Sequence, residues 1–263
     1  MHVTFLVFSL AACTGTPAET DTSGETDTVD TVDTETDDPG PQGTLEGTVI
    51  DDAGAPVAGA RVNFCRGVCA TTETDAQGHY STLVTAQVGS FYVREESALL
   101  DAIVPLAVAE NETRTVDVTL FHAETTVTIP AVADEIEVGP GFFLTVGVDT
   151  LEPAIFEDLG TTIASTQVPV AQVLPIEVDA AHGALVAAYY FAPFEAFSTS
   201  GLPFRIDNTF GLPANTALVA FAASGPDLYT WLPAGEVAVS ADGTSIEGGS
   251  LPILTTLVLF QAP

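Results

Sequence analysis

Gly47-Thr48-Val49-Ile50-Asp51-Asp52-Ala53-Gly54-Ala55-Pro56-Val57-Ala58-Gly59-Ala60-Arg61-Val62 decides the class of this chain, because it reads as strand, turn and strand with no room for a helix. Thr44–Ile50 alternates apolar and polar side chains, the period of a half-buried strand. Asp51 and Gly54 then suit a turn that needs φ > 0, and Pro56 presets φ for the exit. Gly59 lets Ala60 and Val62 enter the next strand. A second punctuated run follows at Thr74-Asp75-Ala76-Gln77-Gly78-His79-Tyr80, where Asp75 and Gly78 shape another hairpin before Tyr80.

Outward from these runs the pattern persists. Ala60–Phe64, Phe91–Arg94, Ile103–Val108 and Thr113–Leu120 read as further short strands, with Gly, Pro, Asn and Asp between them. The Ala-rich stretches invite a helix, yet Val, Thr and Phe interrupt them every few residues and no capping box precedes them. The expected fold class is therefore all-β. Ala184–Phe197 is the one segment where the choice of strand over helix stays open.

The Gly47–Val62 and Thr74–Tyr80 runs resemble the carboxypeptidase regulatory-like domain. That family carries Gly-x-Val-x-Asp-x-x-Gly-x-Pro-x-x-Gly-Ala-x-Val and then Thr-Asp-x-x-Gly-x-Tyr, in this order. The resemblance covers residues 43–121 and implies a seven-stranded transthyretin-type sandwich without catalytic residues of its own. Residues 122–263 are more apolar and are similar to the β-sandwich domain shared by ankyrins, netrin receptors and bacterial surface lipoproteins. That similarity rests on Tyr189-Tyr190-Phe191-Ala192-Pro193, Leu202-Pro203-Phe204, Gly211-Leu212-Pro213 and Tyr229-Thr230-Trp231, followed by an Asp242-Gly243 hairpin. Two tandem sandwiches are expected. Trp231, the only tryptophan, reads most simply as a core or interface anchor. The sharper alternative is a sugar-stacking platform of Trp231 with Tyr229.

The beginning of the chain has a different character. Val3–Ala12 is apolar and ends in Leu10-Ala11-Ala12-Cys13, which resembles the lipobox of bacterial lipoproteins. The resemblance implies that residues 1–12 are a cleaved signal and that the Cys13 thiol carries the lipid. About ten apolar residues are too few to span a bilayer, which takes roughly 20 as helix. One departure is that no Lys or Arg precedes the apolar run, so the start lies upstream or the signal is atypical. Residues 13–42 follow as a linker, and Thr14–Gln42 holds nine acidic residues and no basic one. Such a stretch buries too little apolar surface to order itself, and self-repulsion extends it into a tether. Thr14, in place of Asp after the cysteine, points to the outer membrane.

Charge narrows the partners. With 36 acidic residues, five arginines and a net charge of −31, the chain repels nucleic acid. Cys65 and Cys69 bracket a tight hairpin tip, and a disulfide between them suits an exported protein, with two free thiols as the alternative. A metal site lacks two further ligands nearby. No nucleophile elbow, zinc-binding helix motif or phosphate-cradling loop is present, and there is no lysine for a Schiff base. The expectations are no enzyme, no catalytic residue, no cofactor and no metal. What remains is a lipid-anchored envelope protein for adhesion, scaffolding or recognition, partnered by the membrane and by a protein or glycan. Rival readings are a carbohydrate- or cell-wall-binding lipoprotein and an accessory subunit of an envelope complex.

Overall fold

The computed structural model describes residues 40–95, 98–154, 159–176, 182–225 and 228–262, all of which belong to one compact unit. Residues 1–39, which hold the expected signal, Cys13 and most of the expected linker, lie outside the described residues. Every long element is a strand, and the named helical segments are two short 3-10 turns at Val148–Thr150 and Val170–Gln172. The chain is all-β.

The first block contains β1 (Gln42–Asp51), β2 (Arg61–Arg66), β3 (Val68–Glu73), β4 (His79–Thr85), β5 (Val88–Arg94), β6 (Leu99–Leu100), β7 (Ala102–Ala107), β8 (Thr113–Thr115) and β9 (Val118–His122). One sheet runs β4-β1-β9-β6, with β8 also on β1, and a second runs β3-β2-β5-β7. Their facing side chains, among them Leu45, Val62, Phe64, Phe91, Val104 and Leu120, are buried. The turn after β1 forms as its residues dictate. Asp51 Oδ1 accepts the N–H groups of Ala53 and Ala55 at 3.0 and 2.7 Å, and Gly54 takes φ 81°.

The sequence run Thr113–Leu120 is two strands instead of one, and side chains cause the break. β8 and β9 both lie parallel to β1 in the same register, Glu46 with Thr115 and Val49 with Val118. Between them the Asp117 carboxylate takes the Thr48 N–H at 3.0 Å, and the Tyr80 hydroxyl donates to the Val116 carbonyl at 2.6 Å. Both backbone groups are satisfied outside the ladder, as buried ones must be. Gly47 permits this approach, since a Cβ there would meet the Val116 carbonyl oxygen at 2.0 Å.

The second block contains β10 (Thr125–Thr128), β11 (Asp134–Gly139), β12 (Phe142–Val146), β13 (Thr162–Val168), β14 (Leu185–Ala192), β15 (Phe197–Asp207), β16 (Ala217–Ala223), β17 (Trp231–Val239), β18 (Ser245–Ile253) and β19 (Thr256–Gln261). They form one sheet in the order β10-β13-β14-β19-β16-β17-β18-β15-β12-β11. The sheet curls around its own core, where Phe142 packs against Tyr189, Phe191 and Phe204 at centroid distances of 4.7, 5.4 and 5.7 Å.

The blocks meet across β14 and β19, each buried on both faces. Tyr189, Phe191, Leu257 and Leu259 point into the second block's core. Tyr190, Ala188, Val258 and Phe260 point the other way and join the cluster that contains Leu45, Phe91 and Leu120. The segment left open in the sequence, Ala184–Phe197, is thus strand over Leu185–Ala192. A strand covered on both faces reads as a continuous apolar run, because neither side chain direction meets water.

Candidate functional site

The described features that gather around one spot lie at the tip of the β2–β3 hairpin. Cys65 and Cys69 are cross-strand partners, and their sulfurs are joined at 1.95 Å. Between them Gly67 adopts φ 74°, which lets Arg66 and Val68 pair across a minimal loop. The tip is held from both blocks. Arg66 Nη1 donates to the Val88 carbonyl at 2.9 Å, and its guanidinium lies over the Tyr229 ring with 5.0 Å to the centroid. The Gly67 N–H donates to the Tyr229 hydroxyl. Tyr229 thus uses one ring face and its oxygen to fasten the tip, and its backbone sits at φ 51°.

Trp231 stands two residues further on and is half-buried. It packs against the cluster of Ile103, Phe194 and Ala223, and its indole Nε1 is buried with no hydrogen-bond partner among the described residues. The structure therefore places Trp231 in the seam between the blocks and Tyr229 at its rim. Nearby, Tyr92 faces Phe194 at 6.1 Å, and burial pushes its phenol pKa up, with the Glu195 carboxylate adding to the effect. Tyr92 and Trp231 form the aromatic lining of this seam.

A second candidate is a shallow depression of about 300 Å³ lined by Gly59, Arg61, Glu73, Arg94 and Glu95. Its charges form a cross-strand row. Arg61 is the register partner of Glu73 on one side and of Arg94 on the other, and Arg94 Nε reaches Asp101 at 2.9 Å. Adjacent arginines repel unless carboxylates flank them, and here they do. The arrangement balances charge at the end of the sheet.

His122 and His182 make structural contacts. Asp52 accepts from the His122 backbone N–H at 3.1 Å and meets its Nδ1 at 2.8 Å, clamping the end of β9. His182 sets its ring edge-on to Phe221 at 4.8 Å. Proximity in the fold, not local pattern, brought that aromatic to it. Among the described residues no group of three or more His, Cys, Asp or Glu could hold a metal ion.

The geometry of the first block and its two punctuated motifs have a counterpart among known families. Residues 44–121 match the carboxypeptidase regulatory-like domain. This regulatory-like block supplies the hairpin tip, while Tyr229 and Trp231 come from the block that follows. No curated protein matches the chain. Among solved structures, it is similar to a candidate carbohydrate-binding protein from Bacteroides uniformis, with 12% identity, TM-score 0.27, and 84% of this chain and 80% of that one covered. The Bacillus anthracis TIE protein aligns at 9% identity and TM-score 0.27, covering 85% and 48%. The major pilin subunit of Bacillus cereus aligns at 8% identity and TM-score 0.24, covering 80% and 85%. At such scores these likenesses carry no inference about function.

The Arg66–Tyr229 clasp was not legible in the sequence. Its partners are 162 residues apart at the Gly67–Tyr229 bond, and no local pattern announces a contact of that span.

Proposed function

We propose that this protein is a non-catalytic module of the bacterial cell envelope, held by lipid on Cys13 and carrying a rigid β body for adhesion, scaffolding or recognition of a protein or glycan. The observation that carries this reading is the shared core. Tyr190 and Phe260 of the second block are buried in the same cluster as Leu45 and Phe91 of the regulatory-like block. Two blocks fused in this way do not hinge freely about a linker, so surfaces contributed by both are presented in fixed relation. The Leu10-Ala11-Ala12-Cys13 run and the acidic stretch after it supply the anchor and the tether. Two or three acyl chains hold stably, because a single chain binds only marginally and each buried CH₂ adds about 0.8 kcal/mol. The outer membrane is the proposed location.

The test is expression of wild type and Cys13→Ala in a bacterial host, followed by intact mass and detergent partitioning. Acyl mass and detergent partitioning in the wild type alone support the anchor. Equal behaviour of both proteins removes it.

A further inference from the structure

Seven large apolar side chains stand exposed among the described residues; Val68 at 84%, Leu83 at 60% and Val88 at 43% lie at one end of the first block, and Leu228 of the second block, at 61%, stands beside that end. Their common location follows from the pairing. Val68 is on the hairpin tip, Val88 bonds Arg66 through its carbonyl, and Leu228 adjoins Tyr229, whose hydroxyl takes the Gly67 N–H. Leu83 is the register partner of Thr44, two residues into β1. A monomer with no use for this end has no reason to clamp a hairpin with a disulfide, an arginine and a tyrosine and then point its valine at solvent.

The same end receives the chain from its N-terminal stretch. The Pro41 carbonyl accepts from Ala86 N at 2.9 Å, and the Gln42 carbonyl accepts from Asn111 N at 2.8 Å. Ala86 is two residues before Val88. The attachment point of the acidic stretch and the exposed apolar tip are therefore neighbours. Cys13 precedes Pro41 by 28 residues, so a lipid on Cys13 tethers the body at this end. The opposite end, with the Asp51–Pro56 and Asp75–Gly78 turns, lies a full strand away.

We propose that this end, centred on Val68, Val88 and Leu228 with Arg66 and Tyr229 at its rim, docks on the surface of the bilayer that holds the anchor. The proposal rests on lipidation of Cys13. Its chemistry is that of an interfacial contact: small apolar side chains enter the headgroup boundary, a tyrosine ring sits at the level of the headgroups, and an arginine meets a phosphate. The net charge of −31 opposes approach to an anionic surface, so apolar insertion and tethering supply the contact and Arg66 orients it. Docking turns the far end outward, toward whatever the module recognises.

The experiment uses the full chain purified from bacterial membranes and reconstituted in phosphatidylcholine vesicles with brominated acyl chains. Val68→Trp and Gln77→Trp are each made in a Trp231→Phe background, so that one tryptophan reports from either end. Intact mass is recorded for each. The expected result is acyl mass on all, with Val68→Trp quenched severalfold more than Gln77→Trp. Hydrogen exchange on the unsubstituted protein gives a second readout that needs no variant, with slowed exchange at residues 65–69 and unchanged exchange at 75–78. Acyl mass with equal quenching and equal exchange at both ends overturns the docking while the anchor stands. A blue-shifted, concentration-dependent Val68→Trp emission without vesicles overturns it in favour of a second copy. Absence of acyl mass removes the anchor and this proposal with it.

Discussion

At the scale of single residues, Gly47 shows how a turn-free position can still demand glycine. It lies mid-strand, and the reason is the Val116 carbonyl that the Tyr80 hydroxyl also holds. Gly47→Ala should lower stability by about 3 kcal/mol in urea unfolding, because backbone must shift to admit the methyl. Asp242 gives a prediction of another kind. Hydrogen bonds from the Ser240 hydroxyl, at 2.6 Å, and from the Thr244 hydroxyl and N–H hold its carboxyl down to about 2. The folded state thus prefers the charged form. Its contribution is complete above the ordinary carboxylate range and is lost as pH falls toward 2. The melting temperature of the wild type should fall between pH 4 and pH 2, and that of Asp242→Asn should fall less over the same interval. Asp75 shifts in the same direction, chiefly through the His79 and Gln77 N–H groups. The turn residues around Asp51, Gly54 and Asp75 were legible in the sequence because their chemistry is local. The Arg66–Tyr229 and Asp52–His122 contacts were not, because a side chain carries no record of a partner many residues away.

At the scale of elements, the β2–β3 hairpin and β14 make opposite cases. The hairpin's pairing of Cys65 with Cys69 closes so short a loop that the chain-entropy model assigns it only about 2 kcal/mol. Replacing both cysteines with serine should therefore cost about that much or less in urea unfolding, and reductant should bring the wild type to the same midpoint. A much larger loss would mean that the clasp on Arg66 and Gly67 fails with the bond. β14 carries far more. Tyr190 is fully buried between the blocks, with the Phe121 ring edge-on at 6.1 Å. Tyr190→Ala should cost about 4 kcal/mol by loss of a large core aromatic. Alternation made β1 and β2 recognisable as strands, since each starts with one face toward a core. β14 gave no such signal, since both of its faces are covered and period 2 disappears.

At the scale of the whole molecule, the sequence divides where β9 ends at His122, and the structure joins the two parts through one apolar cluster. Composition and periodicity report how each segment buries its own faces. They do not report which outer face of one sheet covers another, and so the seam lined by Tyr92 and Trp231 emerged only from the fold. The functional proposal depends on that seam, because a rigid body on a tether presents its surfaces differently from two loosely linked modules. Scanning calorimetry of the full chain tests this most directly. A shared core predicts a single transition whose calorimetric and van't Hoff enthalpies agree, with Tyr190→Ala lowering it as one peak. Two separated transitions, with Tyr190→Ala moving only one of them, would contradict the fused body.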